Sequence, residues 1–289
     1  MNISNRMWEA LESLMAHFGA GRVFYVIPSA RAWKEQFVID KGVSVHNVFT
    51  SLGDALGQCS ANRGDIIMVE PGTYTLTAAQ AVSVAGVTIM GRKGFARQTI
   101  IAGLASAGVN ALNITAADVK LCHLTIQGGS ATSFAVSCRS TTTVIEDCYF
   151  DSKLDGGADG IEFQNGADEC QVSDCVFEET FNSLLLLSTA AGGPDRLTVE
   201  RCLFRNVVVM ITDAGSAASV ANRLVVNNCV SQGTLVGGYI KLNTVLNTGI
   251  VTNCSFALAT NAAAQFVIPA GVFWTANATE AGVSTARPA

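Results

Sequence analysis

Nine cysteines and three histidines are the first residues in this chain to question for chemistry. A zinc site needs Cys or His pairs two to four residues apart, with a second pair nearby. Cys170 and Cys175 come nearest to such a pair, while His17, His46 and His123 are scattered, so no metal and no other cofactor is expected. Disulfides belong to oxidising compartments. The opening segment MNISNRMWEALESLMAHFGAG carries Arg6, Glu9 and Glu12 and has no unbroken apolar stretch, which argues against a secretion signal and for free thiols in a reducing cytoplasm. The sequons at Asn113 and Asn253 then carry no weight.

Carboxylates are the second chemical resource. Hydrolysis of a glycan needs two of them, about 5 Å apart or separated by room for a water. Asp147 and Asp174 occupy equivalent positions of a repeat described below, but their residue type also suits a tight backbone corner, and the corner reading is preferred. Asp151, Asp155, Asp159 and Glu162 cluster in FDSKLDGGADGIEF without a recognised calcium-ligand spacing, which reads as a solvated loop. His123 reads as a surface residue rather than a base. No Ser-His-Asp or Cys-His arrangement stands out, so no catalytic residue is expected.

The period of the cysteines explains most of them. Six lie at 122, 148, 175, 202, 229 and 254, in steps of 25 to 27 residues. Fixed periods of this size mark solenoids. Three residues before each stands Val119, Ile145, Val172, Val199, Val226 or Val251. Two residues after each stands Leu124, Phe150, Phe177, Phe204, Ser231 or Phe256. On a straight strand, residues three apart point to opposite faces. A bend between them restores the parity, and Asp147, Asp174, Asn228 and Asn253 supply the types that tolerate a left-handed bend. Each repeat therefore describes a vertex of a coil with valine, cysteine and phenylalanine pointing inward. Helical repeats are disfavoured by the richness in Val, Ile, Thr and Phe and by the lack of a sustained helical period. The expected fold is all-β: a right-handed parallel β-helix of about seven or eight coils.

The boundaries follow. FTSLGDALGQCSANRGD, residues 49–65, has Thr50 or Ser51 as cap and Leu52, Ala55, Leu56 and Cys59 at helical spacing, predicting a cap helix at about 50–60. Residues 1–48 form an N-terminal arm, 49–258 the β-helix domain and 259–289 a C-terminal tail. Apolar residues make up 49% and charged ones 14%, with a net charge of −5, so neither disorder nor nucleic-acid binding is indicated. No run approaches the roughly 18 apolar residues of a membrane span.

GDIIMVEPGTYTL, residues 64–76, resembles the opening coil of pectate-lyase-like β-helix proteins. GRVFYVIPSARAW at 21–33, the cap helix, GDIIMVEPG and the closing GVSTARPA together resemble a β-helix family encoded by tailed bacteriophages. That resemblance implies a virion structural protein of the capsid decoration (cement) type, made in the host cytoplasm and placed on the capsid exterior. By resemblance, pectate lyases use calcium-binding aspartates with a catalytic arginine, and polygalacturonase-like enzymes use paired aspartates with His-Gly and Arg-Ile-Lys motifs. This sequence has neither motif.

The outward positions carry the last expectation. The residues after the cysteines read His123, Tyr149, Val176, Leu203, Val230 and Ser255, apolar in four consecutive coils. SLLLLS and NVVVMI, containing Leu184, Leu185, Leu186 and Leu187 and Val207, Val208 and Val209, look buried on both faces. Such a stripe marks an interaction surface. The expected partners are two further copies in a homotrimer, and the major capsid protein, docked by Trp8, Arg22, Phe24, Tyr25, Arg31 and Trp33 of the arm. The expected function is non-enzymatic reinforcement of a phage head. Two rivals are a tail spike or fibre that binds or cleaves host surface polysaccharide, and a free polysaccharide lyase that would depend on Asp151, Asp155 or Asp159.

Overall fold

A computed structural model describes residues 21–28, 31–103, 109–129, 133–151, 159–180, 182–186, 193–213, 221–233, 238–242, 247–257, 265–279 and 282–284. The chain winds into a right-handed parallel β-helix of about seven turns, with three sheets of eleven, ten and eight strands forming its sides. Neighbouring strands within a sheet come from successive turns and run parallel.

One turn shows how the sequence makes the fold. Gln171–Ser173 runs in the eleven-stranded sheet, and the chain bends at Asp174. It continues as Val176–Glu178 in the ten-stranded sheet and bends at Glu179. It then crosses the eight-stranded sheet as Asn182–Leu186 and bends again at Arg196, before Thr198 begins the next turn. Val172 pairs with Val199, Phe177 with Phe204 and Leu184 with Ile211, so the inward residues stack in columns. All six are fully buried.

Left-handed corners recur in columns. His123, Asp147, Asp174, Arg201, Asn228, Asn253 and Ala276 form one column of positive φ. Asp118, Thr142, Glu169, Arg196 and Arg223 form a second. Glu179, Asn206 and Gly233 form a third. This conformation costs an ordinary L-residue roughly 1–2 kcal/mol. Backbone hydrogen bonds from corner to corner offset it: Asp174 N–H donates to Glu200 O and Arg201 N–H to Asn227 O, both at 3.1 Å.

The cysteine column has five members, not six. Leu121 pairs with Ile145 and Cys122 with Glu146, so His123 takes the corner and Leu124 the cysteine's place in that turn. Cys122 is two positions early, and the coincidence of its spacing with the period misplaces it and His123 in the sequence pattern. Cys148, Cys175, Cys202, Cys229 and Cys254 keep the column. Each thiol donates to the carbonyl two residues earlier, at 3.2–3.4 Å, just ahead of the corner. A small apolar side chain with a weak donor fits that position, adding to a carbonyl that also accepts the corner N–H of the preceding turn.

The ladder extends into the segment read as an arm. Val23–Val26 pairs in parallel with Ile66–Val69 and with Val48–Phe49, and Arg31–Lys41 forms a helix against the outside of these first rungs. The predicted cap helix is present as Leu52–Leu56, with Ser51 Oγ accepting from Asp54 N–H. It closes the open end with Leu52, Ala55 and Leu56 buried. At the other end the segment read as a tail adds Phe266–Val267, Val272–Thr275 and Asn277–Thr279 to the three sheets. Tyr239, Phe256, Phe266 and Trp274 pack there with centroids 5.1–5.5 Å apart. An antiparallel pairing of Asn277–Thr279 with Gly282–Ser284 ends the parallel ladder.

Phe150, Phe177 and Phe204 stack face to face at 4.7 and 4.9 Å. Phe177→Ala should cost about 3–5 kcal/mol, because the fixed rungs above and below prevent collapse of the cavity. Chemical denaturation checks this, and a loss below about 1 kcal/mol would show that the column repacks. A second test addresses Asp65, whose side chain is fully buried beside Arg63. Desolvation alone would raise its carboxyl. Hydrogen bonds from Arg63 and from the N–H groups of Ser60 and Arg22 outweigh that and hold it below its ordinary value of 3.8. Its stabilisation is therefore complete above the unfolded pKa and lost as pH falls through the lower, folded one. Asp65→Asn should lower stability at neutral pH by on the order of 2 kcal/mol and flatten the acid-side fall in Tm below about pH 4.

Candidate functional site

Two polar columns run along the outside of the coil. The first follows the corners. His123 Nδ1 lies 2.8 Å from Asp147 Oδ2. Arg201 grips Asp174 with Nε and Nη2, both at 2.8 Å, and reaches Glu200 at 2.9 Å. Asp147 and Asp174 thus stand at equivalent corners, as expected, but each is engaged by a different neighbour rather than facing the other across a substrate. The Arg201 guanidinium holds the Asp174 carboxyl below the ordinary range.

The second column lies on the ten-stranded sheet. In Tyr149–Asp151, Val176–Glu178 and Leu203–Arg205 the middle phenylalanine points inward and the flanking residues outward. Register pairs Tyr149 with Val176, Val176 with Leu203 and Leu203 with Val230. It likewise pairs Asp151 with Glu178, Glu178 with Arg205 and Arg205 with Gln232. Two parallel rows result, one apolar and one of carboxylate, carboxylate, guanidinium and amide. Adjacent rungs are about 4.8 Å apart at the backbone, so Asp151 and Glu178 stand side by side in this row.

Arg97, on the short helical turn Ala96–Gln98, completes the strip. Its guanidinium lies over the Tyr149 ring, 4.5 Å from the centroid, and 3.7 Å from Glu178. Arg205 approaches Glu178 from the other side at 3.1 Å and Gln232 at 3.4 Å. Hydrogen bonding to Tyr149, with the nearby charges of Glu178 and Asp151, raises the Arg97 pKa, so this group stays a cation. Beside it opens a cleft of about 390 Å³, lined among others by Phe95, Arg97, Gln98, Asp147 and Tyr149. One carboxylate, Asp147, one cation, Arg97, and the Tyr149 ring line this cleft, while Asp151, Glu178 and Arg205 lie along the neighbouring row of the sheet.

The remaining expected positions fall elsewhere. Leu184, Val207 and Val209 are buried in the chain's own core, so they face no partner, and Val208 is half-buried. Leu185 and Leu186 lie on the strand Asn182–Leu186, and Leu187 lies outside the described residues. Phe24 is packed into the main core and Tyr25 under the helix Arg31–Lys41, which removes both from a docking surface. The Arg22 side chain is exposed, Arg31 and Trp33 lie on that helix, and Trp8 lies outside the described residues. Of the acidic cluster, Asp151 belongs to the ten-stranded sheet, whereas Asp159 and Glu162 belong to the eight-stranded one. Asp155 lies outside the described residues. Glu162 is buried and accepts from Ser137 and Gln164, both at 2.6 Å. Among the described residues no group of three His, Cys, Asp or Glu could hold a metal ion.

Glu178, Arg205 and Gln232 were missed in the sequence, although each stands three residues after a column cysteine, as Asp151 does. That column shares the period of the cysteines, but its residue types change from carboxylate to guanidinium to amide and so show no repeat of type. Arg97 precedes the regular repeat and leaves no periodic signal.

Against known proteins, no family model and no curated protein matches the chain. Solved structures do. A mutant pectin methylesterase in complex with a hexasaccharide superposes with a TM-score of 0.61 at 12% identity, over 93% of each chain. The Aspergillus niger pectin methylesterase gives 0.57 at 15% identity, over 83% of this chain and 85% of that one. The carrot enzyme gives 0.51 at 13%, over 82% and 81%. The fold is similar to theirs. At these identities the likeness concerns the fold alone. It corrects the expectation of a non-enzymatic protein to this extent: the superposed structures are pectin methylesterases, so the coil is no ground for expecting a purely structural role.

The column thiols remain outside this chemistry. All five are buried, and burial pushes the Cys175 thiol well above its ordinary value. A thiol reagent applied to the native protein should leave Cys148, Cys175, Cys202, Cys229 and Cys254 unmodified and label them in denaturant, as mass spectrometry of digests would show. Native labelling of Cys202 would mean that the column opens.

Proposed function

We propose that the protein is a carbohydrate-active enzyme that lays a surface polysaccharide along the ten-stranded sheet and cleaves an ester or glycosidic bond there. The observation that carries this reading is the in-register row Asp151, Glu178, Arg205 and Gln232, with Arg97 and Tyr149 at its flank. One carboxylate would activate water or attack, the other would protonate the leaving oxygen, and Arg97 and Arg205 would hold acidic or carbonyl oxygens of the substrate. The enzymatic character of similarly folded proteins supports it. The resemblance to phage β-helix proteins supports a host surface glycan as the target, as in a tail spike or fibre.

In this reading the half-exposed row of Tyr149, Val176 and Leu203, with exposed Val230 beside it, meets the apolar faces of sugar rings rather than two further subunits. Analytical ultracentrifugation separates the two: a mass of one chain fits glycan contact, and a mass of three chains returns the row to a trimer interface.

The activity is tested on acidic, methyl- or acetyl-esterified polysaccharides, with release of methanol, acetate and reducing ends followed. Glu178→Gln should reduce turnover by about 10²–10⁴-fold, the usual contribution of a positioned acid or base. Asp174→Asn, on the corner column, should leave turnover within a few-fold of the parent. Equal losses in both variants, or no product from any polysaccharide, would sink the assignment to this strip.

A further inference from the structure

Four of the nine cysteines lie outside the column, and two of these four meet. Cys138 ends the strand Phe134–Cys138 of the eight-stranded sheet. Cys170 lies in the next turn, between the corner at Glu169 and the strand Gln171–Ser173 of the eleven-stranded sheet. Both are fully buried. Their sulfurs are 3.9 Å apart, and both thiols donate to one carbonyl, Ser140 O, at 3.5 and 3.4 Å.

Register sets this pair apart from the column. Along the eight-stranded sheet Cys138 stands between Ile114 and Phe163. Val144 pairs with Gln171, Gln171 with Thr198 and Thr198 with Val225, so Cys170 stands between Thr143 and Leu197, with Leu224 next. Along these rungs each row holds one cysteine, and the two meet on the diagonal, the end of one turn's third strand against the start of the following turn. Filling the core does not require this, since Ile, Phe and Leu fill the same rows on other rungs. The column thiols are arranged differently. In-register stacking keeps equivalent side chains parallel and about 4.8 Å apart, and each thiol engages the carbonyl at its own bend. A disulfide needs a torsion of roughly 90° about its S–S bond, which parallel side chains do not offer. Cys138 and Cys170 approach from different sheets, and their sulfurs need to close by only roughly 2 Å to reach bonding distance.

We infer that Cys138 and Cys170 form a redox-sensitive staple, joined by a small-molecule disulfide oxidant so that one turn of the coil is tied to the next. One thiolate of the pair attacks a sulfur of the oxidant and expels half of it as a thiolate. The second cysteine then displaces the other half from the mixed disulfide. An S–S bond forms between the turns, the oxidant's S–S bond is broken, and the two cysteine protons end on its two thiols. Because both thiols are buried, the exchange runs while the rungs assemble or open locally. The link closes a loop over residues 138–170, which removes freedom from the unfolded chain. That loop includes Tyr149 and Asp151, but the staple does not depend on what the carboxylate strip does.

Refolding the full chain in a mixture of oxidised and reduced glutathione tests it, beside a sample refolded in dithiothreitol. Two of the nine thiols should be lost, and a digest made without reductant should contain a peptide pair joining Cys138 to Cys170. The oxidised protein should melt roughly 5–10 °C above the reduced one, and dithiothreitol should reverse the shift. Cys138→Ser should abolish the rise. Nine free thiols after refolding, a link among Cys148, Cys175, Cys202, Cys229 and Cys254 in place of this one, a Cys138–Cys170 link without a rise in Tm, or a rise that survives Cys138→Ser would each overturn the inference. The peptide map is read on the unaltered chain, so it decides the question whether or not the serine variant folds.

Discussion

Each turn of this protein must bend through a left-handed corner, and the whole coil depends on that constraint. A strand alternates its faces, so a valine and a cysteine three residues apart point inward together only if the intervening backbone breaks the alternation. The break puts a non-glycine residue at positive φ in turn after turn, from His123 to Ala276 in one column alone. No single corner is stable by itself at a cost of roughly 1–2 kcal/mol. Stacking makes it so, since each corner amide finds a carbonyl on the next turn. The cysteine fits here for the same reason. Its thiol adds a second, weak donor to the carbonyl just before the bend, which already accepts the corner amide of the preceding turn.

Stacking also governs the surface. Any outward residue meets its counterparts one rung away, so like charges in a column repel at about 4.8 Å. The chain answers by alternating sign: Asp174 with Arg201, Lys120 with Glu146, Glu178 with Arg205. These exposed pairs add little stability individually. Their value is in keeping columns aligned. Against that background, Asp151 and Glu178 are adjacent carboxylates in one column and depart from the alternation, as Asp147 and Asp174 do at the corners. Asp151 and Glu178 tolerate one another because Arg97 and Arg205 flank them, the former brought in from outside the repeat. A coil that needed only to stack would not require that arginine.

What could be read in the sequence divides along the same line. The inward columns and the corners recur at a fixed period, so they announced a parallel β-helix, its cap helix and the Asp and Asn bends. Cys122 shows the limit of reading by period. It lies close to the expected spacing, yet the register of its strand puts Leu124 in the column and His123 at the corner. The ends escaped too, because Val23–Val26 and Val272–Thr275 join the ladder without the repeat's signature. Phe24 and Tyr25 looked like aromatic anchors for a partner because nothing in their immediate sequence reveals that Ile66–Val69 runs beside them.

The candidate site was less legible for a deeper physical reason. In a solenoid, residues that share a site come from different turns, some 27 positions apart, and meet only through register. A local motif such as His-Gly or Arg-Ile-Lys is therefore one lineage's solution, and its absence says little about a row assembled from Asp151, Glu178 and Arg205. The question to put to such a sequence is which outward column breaks the pattern that stacking alone would impose. Applied to the position three residues after each column cysteine, that question finds Asp151 and Glu178. There the coil departs from what its own stability requires.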